Sequence, residues 1–105
     1  MSIAVDLDGT SAEYHGFEGN HIIGAPIKIM WLRIATWIDE GEEVWLFTAR
    51  ADSKESIDHI KNWMKYHDLP VLPVTNIKFK HFKEFWDDRA YRVEANTGIL
   101  ADSFE

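Results

Sequence analysis

Two aspartates separated by a single residue follow an apolar run near the start of the chain, in VDLDGT at residues 5–10. Residues i and i+2 of an extended segment point to the same side, so Asp6 and Asp8 can face one substrate. One carboxylate can attack as a nucleophile, while its neighbour protonates a leaving oxygen and then activates water. Gly9 lets the backbone turn closely around a bound group. The alternative is an aspartate-rich turn without a chemical role.

Polar side chains also follow three later apolar runs, at 44–47, 71–74 and 84–86. These side chains are Thr48 and Arg50, then Asn76 and Lys78, then Asp87, Asp88 and Arg89. Ligands bind at the carboxyl ends of the strands in a parallel sheet, so we expect these groups to meet at one rim. Arg50 has the alternative of a salt bridge to a nearby acid. Lys80 and Lys83 compete with Lys78 for the role of the cation at the rim.

Four carboxylates gathered at one rim would repel one another, and a divalent cation relieves this repulsion. Oxygen-only ligation suits Mg²⁺, which uses one or two carboxylates together with substrate phosphate. A lysine on the opposite side would add a second positive charge, and Thr48 offers a hydroxyl donor to an oxyanion. The pattern therefore predicts a Mg²⁺ site that acts on an anionic substrate.

The elements that must position these groups alternate between strand and helix. We predict strands at 2–5, 44–47, 71–74, 84–86 and 92–95, and helices from Pro26 to Gly41 and from a capping pair, Asp52 and Glu55, to Pro70. This alternation implies a parallel sheet with right-handed crossovers. Residues 9–25 are polar and aperiodic, and we expect this loop to overhang the rim with Tyr14 and Phe17.

Length and composition narrow the class of protein. The 105 residues suit one domain, and the net charge of −7 argues against a general binder of nucleic acid or anionic membranes. The chain contains no cysteine, which fits a reducing compartment. We see neither a signal peptide nor an apolar run of the roughly 20 residues that a membrane span needs. The expectation is a soluble cytoplasmic protein without a membrane partner.

The segments DLDGT, LFTAR, VTNIKF and FWDDRA resemble, in this order, the four motifs of the haloacid dehalogenase-like (HAD) phosphohydrolase superfamily. The likeness extends from Asp6 to Asp88, and GAPI and LPVTN resemble a group of very small bacterial and phage members. It implies one three-layer α/β/α Rossmann-like domain over residues 1–105, with a parallel sheet ordered 5-4-1-2-3. Residues 9–25 are too few for the larger cap domains, so the resemblance implies a minimal cap or none.

The resemblance also implies a role for each matching residue. Asp6 resembles the nucleophile that forms an aspartyl-phosphate, and Asp8 resembles the general acid/base, whose backbone carbonyl also binds Mg²⁺. Thr48 resembles the phosphate-binding hydroxyl, and Lys78 the lysine that steadies Asp6 and the phosphate. Asp88 resembles the direct metal ligand, with Asp87 behind it. The remaining implied phosphate or substrate contacts are Gly9, Thr10, Ala49, Arg50 and Arg89. Ser11 departs from the family, which usually has a large apolar residue there.

The function implied by this resemblance is Mg²⁺-dependent hydrolysis of a phosphomonoester through an aspartyl-phosphate. The substrate would be a small phosphorylated molecule. Similarity of the DDR segment to nucleotidase-like members favours a nucleotide or a nucleic-acid end phosphate, although the net charge of −7 weighs against the latter. An open site also allows a second subunit to serve as a cap in a homo-oligomer. The alternative is a catalytically weak phosphate-binding or assembly module that keeps the HAD fold.

Overall fold

Four short strands and two helices alternate along the chain in a computed structural model that describes residues 1–101. The strands are β1 (Ser2–Val5), β2 (Glu43–Phe47), β3 (Val74–Thr75) and β4 (Phe82–Trp86), and the helices are α1 (Lys28–Asp39) and α2 (Lys54–Tyr66). The last four residues of the predicted 1–105 domain lie outside the described residues. Neither helix in residues 1–101 is long and apolar enough to cross a membrane.

The four strands form one sheet in the order β3-β2-β1-β4, and every neighbouring pair is parallel. Ile3 lies between Val44 of β2 and Glu84 of β4. β1 occupies the middle of the sheet, and its residues 3–5 are almost fully buried, as expected for an apolar strand covered on both sides. The predicted α/β fold with a Rossmann-like parallel sheet is confirmed.

Both helices pack on the same face of the sheet. Successive right-handed crossovers from β1 to β2 and from β2 to β3 run in one direction, which brings α1 and α2 side by side. Trp31 of α1 and Trp63 of α2 have ring centroids 6.1 Å apart. The core between the helices and the sheet contains Ile3, Val5, Ile34, Leu46, Ile60 and Met64. This core fixes the strands whose carboxyl ends carry the candidate site.

The second face of the sheet carries an aromatic cluster and no helix in residues 1–101. Phe82 contacts Trp45, Phe47 and Phe85, and Phe79 from the β3–β4 connection packs on Trp45 at 5.4 Å. The connection spans only residues 76–81, whereas a crossover through a helix takes a dozen or more residues. The described chain therefore has two layers of regular structure where the resemblance implied three.

The predicted fifth strand over residues 92–95 is wrong. Val93 instead makes an isolated antiparallel bridge to Leu100, and Asn96 and Gly98 turn the chain at positive φ values of 68° and 76°. The predicted order 5-4-1-2-3 is therefore observed without its first strand, and the outer edge of β4 is unpaired within residues 1–101. A four-residue stretch such as 92–95 is as compatible with an isolated bridge as with a strand of the sheet.

Two element boundaries also differ from the sequence prediction. β3 begins at Val74 rather than at residue 71, because Pro73 lacks an amide hydrogen and contributes only its carbonyl, which accepts from Leu46. Ser53, and not Asp52, caps α2, since its side chain accepts a hydrogen bond from the backbone amide of Ser56. Asp52 instead accepts the side-chain amide of Asn20 at 3.1 Å.

Candidate active site

One carbonyl accepts most of the backbone hydrogen bonds of the turn after β1. Leu7 O accepts hydrogen bonds from the amides of Thr10, Ser11 and Ala12, while the amide of Asp6 still pairs with Trp86 O at 2.9 Å. The first aspartate of the motif thus belongs to the end of the sheet, and the second begins the turn. Ser11 is fully buried and donates to Asp6 O at 2.8 Å. A large apolar residue at this position could not make this bond.

Gly9 brings the two acidic strand ends together. Its φ is +85°, a conformation that side-chain-bearing residues rarely adopt, and a Cβ there would lie 2.5 Å from Asp88 Oδ2. The Thr10 hydroxyl bridges the same gap, since it donates to Asp88 Oδ1 at 3.0 Å and accepts from the Asp88 amide at 2.9 Å. Both residues therefore position Asp88 directly beside the turn after β1.

Asp6, Asp87 and Asp88 form the acidic centre of the site. One carboxylate oxygen from each lies within 4.8 Å of those of the other two. Burial, followed by the negative charges of Asp87, Asp88 and Asp8, raises the pKa of Asp6 to about 7 against an opposing backbone hydrogen bond. Three carboxylates at such short range are stable together only when a proton or a cation compensates them.

The carboxylate of Asp8 is turned away from this centre and forms an ion pair. Arg50 Nε donates to Asp8 Oδ2 at 2.7 Å, and Arg50 itself is buried. The guanidinium also donates to Gly19 O at 2.7 Å and lies 5.3 Å from the ring centroid of Phe17. Asp8 Oδ1 is buried without a hydrogen-bond partner among residues 1–101. Arg50 thus fixes Asp8 and leaves one oxygen of that carboxyl group free for a proton.

Thr48 follows β2 on the same rim and is nearly fully buried. Its amide donates to Thr75 O, which continues the pairing of β2 with β3. Its hydroxyl oxygen accepts the Arg50 amide at 3.2 Å and retains a hydrogen that can be donated to an oxyanion. The next residue, Ala49, is exposed beside it.

These groups surround one cavity of about 480 Å³, within the size range of small-molecule sites. The predicted site residues that line it are Asp6, Asp8, Thr48, Ala49, Arg50, Asp87, Asp88 and Arg89. Gly9 and Thr10 lie directly behind Asp88, as described above. The three strand ends of β1, β2 and β4 therefore deliver their polar residues to one place.

Lys78 does not join this group. Its ammonium lies 5.1 Å from the ring centroid of Phe85, on the second face of the sheet, and it forms no ion pair with an acid within residues 1–101. The short β3–β4 connection crosses that face and carries Lys78 with it. The alternative candidates, Lys80 and Lys83, are exposed and do not line the cavity.

The donor set of the site fits Mg²⁺. Asp6, Asp87 and Asp88 offer hard oxygen ligands only, and within residues 1–101 no histidine or cysteine joins their group. The fourth acid of the predicted set, Asp8, is committed to Arg50 through its side chain. The three clustered carboxylates are therefore the ones available to a cation.

Sequence reasoning missed Asn20 and Ala90, which also line the cavity. Asn20 is held there by its hydrogen bonds to Asp52, and a lone asparagine in a glycine-bearing loop gives no signal of that contact. The expected overhang of residues 9–25 is observed, since Tyr14 and Phe17 reach the cavity. The 22 residues between β1 and α1 contain isolated bridges but no helix or strand, so the described chain has no cap domain there.

Fold and site together define a small, uncapped α/β domain with a parallel sheet and an acidic centre at the carboxyl ends of its strands. A conserved protein of Bacteroides thetaiotaomicron, coded by a locus of that organism and known from a solved structure, is similar to it. The two share 25% sequence identity with a TM-score of 0.64, over 86% of this chain and 77% of the other. No protein-family model matches the chain, and no curated protein matches it.

Proposed function

We propose that this protein is a Mg²⁺-dependent phosphomonoester hydrolase of the haloacid dehalogenase-like type, acting through an aspartyl-phosphate. The observation that carries the proposal is the meeting of four aspartates, Thr48 and two arginines around one cavity at the sheet rim. The candidate substrates are nucleotides and nucleic-acid end phosphates. A cytoplasmic location and assembly with a second copy remain part of this proposal.

The mechanism assigns the attack to Asp6. Its carboxylate oxygen forms a bond to phosphorus while the ester oxygen departs, taking a proton from the free oxygen of Asp8. The ionised Asp8 then removes a proton from water, which attacks phosphorus and releases phosphate from Asp6. The Thr48 hydroxyl donates to a phosphoryl oxygen throughout. A Mg²⁺ ion bound by Asp6, Asp87 and Asp88 would supply charge neutralisation for the approach of two anions.

Asp6→Asn tests the assignment of the nucleophile. Hydrolysis of p-nitrophenyl phosphate in Mg²⁺ is expected to fall to the uncatalysed rate, because an amide cannot form the acyl phosphate. Asp8→Asn is expected to lower kcat by about 10²–10⁴-fold, the usual contribution of a general acid. Asp39→Asn, at the exposed end of α1, is the matched control and should keep the wild-type rate. An active Asp6→Asn protein would refute the nucleophile.

The second candidate function is a phosphate-binding module with little catalytic power. The displacement of Lys78 favours it, because the resemblance assigns this lysine to the nucleophile and the phosphate, yet it lies over Phe85. The ion pair of Asp8 with Arg50 favours it as well, since it commits one oxygen of the proposed general acid to a buried cation. Calorimetric binding of inorganic phosphate, combined with no hydrolysis across a panel of phosphate esters, would select this function.

A further inference from the structure

A second groove, of about 530 Å³, adjoins the candidate active site along the outer edge of β4. Its lining residues are Lys83, Glu84, Phe85, Trp86, Asp87, Ala90, Tyr91 and Arg92. Asp87 and Ala90 line both this groove and the acidic cavity, so the two spaces are direct neighbours. A substrate with its phosphate at Asp6 can therefore extend into the groove.

Three aromatic side chains line the groove. Tyr91 is 83% exposed and makes no ring contact with another aromatic residue in residues 1–101. Phe85 is 42% exposed, and Trp86 completes the wall. An aromatic ring that is left in water beside other rings gains free energy when a flat apolar group stacks on it. The groove thus offers stacking surfaces directly beside a site for a phosphate.

The cations of the chain are concentrated beside these rings. Residues 78–92 contain five lysines and arginines and three acids, a net charge of +2, while the remaining residues contain six and fifteen, a net charge of −9. The two values sum to the whole-chain charge of −7. Two of the three acids, Asp87 and Asp88, belong to the acidic centre. In the groove itself, Lys83 and Arg92 stand beside Glu84 and Asp87, so its lining carries no net negative charge.

We propose that this groove binds single-stranded nucleic acid and presents its terminal phosphate to Asp6. The inference rests on the proposed function, because it names the substrate class of that site. Bases stack on exposed aromatic side chains, and backbone phosphates pair with neighbouring cations, which is the usual basis of sequence-tolerant single-strand binding. A duplex hides its bases and gains little from Tyr91. The net charge of −7 of the whole chain does not oppose this binding directly, because the lining of the groove is neutral and residues 78–92 carry +2.

Binding is tested with a fluorescently labelled oligothymidylate of about ten nucleotides, the probe suited to a groove that stacks bases without reading sequence. Versions with a 3′-phosphate and with a 5′-phosphate are compared by anisotropy in chelator, where no turnover occurs. Tyr91→Ala should weaken binding about tenfold, the typical loss of one stacked base. Lys83→Gln should weaken it and reduce the salt dependence by about 0.7 in log–log slope, the value for one phosphate contact on a single strand.

Matched controls come from α2, at positions with the same residue types and similar exposure. Tyr66 is 84% exposed, and Lys65 is exposed beside it. Tyr66→Ala and Lys65→Gln should leave the affinity for the oligonucleotide unchanged. Equal losses from the α2 and groove variants would overturn the proposal, as would equally tight binding of polyglutamate. A dimer that Tyr91→Ala dissociates, with no affinity for the oligonucleotide, would also overturn it in favour of a self-association surface.

Hydrolysis assays separate this inference from the function on which it rests. Phosphate release from the oligonucleotide is compared with release from p-nitrophenyl phosphate for the wild type and Tyr91→Ala. If Tyr91→Ala lowers phosphate release from one of the two oligonucleotides but not from the aryl ester, the result supports the groove and identifies which end it presents. Activity on the aryl ester without any effect of Tyr91→Ala on the oligonucleotide overturns the groove alone. An inert aryl ester, together with oligonucleotide binding that Tyr91→Ala weakens, refutes the phosphatase and keeps the groove.

Discussion

Gly9 joins a backbone requirement and a packing requirement at one position. Its positive φ permits the turn after β1, and its missing side chain lets the Asp88 carboxylate approach the turn. The Thr10 hydroxyl then fixes that carboxylate by two hydrogen bonds. Gly9 and Thr10 of the DGT sequence therefore position the Asp88 carboxylate beside Asp6.

Gly9→Ala is expected to damage the acidic centre beyond its cost to folding. Alanine at positive φ costs about 1–2 kcal/mol of stability, and its Cβ must also displace Asp88. Gly41→Ala is the control, because Gly41 has nearly the same φ, +84°, with no atom within 4 Å of a Cβ. Urea denaturation should show a penalty for both variants, while calorimetric titration should show weakened Mg²⁺ binding for Gly9→Ala only. Equal Mg²⁺ affinities would contradict the close-contact argument.

The connections between elements decide which residues reach the site. The rule that ligands bind at the carboxyl ends of parallel strands correctly grouped Asp6, Thr48 and Asp88 from the sequence, because β1, β2 and β4 are recognisable apolar runs. The same rule misplaced Lys78, because a connection of residues 76–81 passes over the aromatic face before β4 begins. Such a path depends on the packing of Phe79 against Trp45, which local sequence does not reveal.

Packing between distant segments explains the other differences from the sequence prediction. The sequence predicted an N-cap for α2, but either of two adjacent residues, Asp52 or Ser53, could provide it. In the structure Asn20, from a distant loop, donates to Asp52, and Ser53 caps the helix. The third layer of the implied fold is not observed in residues 1–101, because no helix lies between Thr75 and Phe82 to form it. That layer was predicted from the resemblance alone. Contacts between residues distant in sequence thus decide features that the pattern of apolar runs does not predict.

Ser53→Ala is expected to lower the free energy of unfolding by about 1 kcal/mol, the usual cost of losing an N-cap. The Ser53 side chain accepts the Ser56 amide at 3.1 Å, and no other side chain in residues 1–101 makes this bond. Ser53→Asp restores an acceptor at the same position and should recover most of the loss. Urea denaturation of the three proteins measures the difference. If Asp52→Ala were the costlier substitution, the cap assignment would be wrong.

Positive and negative charges are unevenly distributed over the molecule, although its net charge is −7. Three acids are concentrated at the rim, while lysines and arginines are concentrated between residues 78 and 92 around the edge of β4. Repulsion among the carboxylates of the acidic centre destabilises the folded protein when all of them are ionised, and no cation in the described residues forms an ion pair with Asp6. The stability of the entire fold should therefore respond to protons and to divalent cations through this centre.

In chelator, the free energy of unfolding should fall as the pH rises from about 4 to above 7. The pKa of Asp6 is about 7 in the folded protein against an ordinary value of 3.8, so between these values the folded chain holds a proton that the unfolded chain releases. This stabilising contribution is complete below the lower value and is lost as the pH passes the upper one. Partial exposure of Asp6 limits it to about 2 kcal/mol.

Asp6→Asn removes this titration, so the variant should gain stability relative to the wild type as the pH rises, with the largest difference near pH 8. Mg²⁺ should reverse the order at pH 8, since a ligand at a hundred times its Kd stabilises the protein that binds it by about 2.7 kcal/mol. Thermal unfolding of both proteins at pH 5 and pH 8, with chelator and with Mg²⁺, measures these four differences. Parallel behaviour of the two proteins under all four conditions would show that Asp6 bears neither the trapped proton nor the cation.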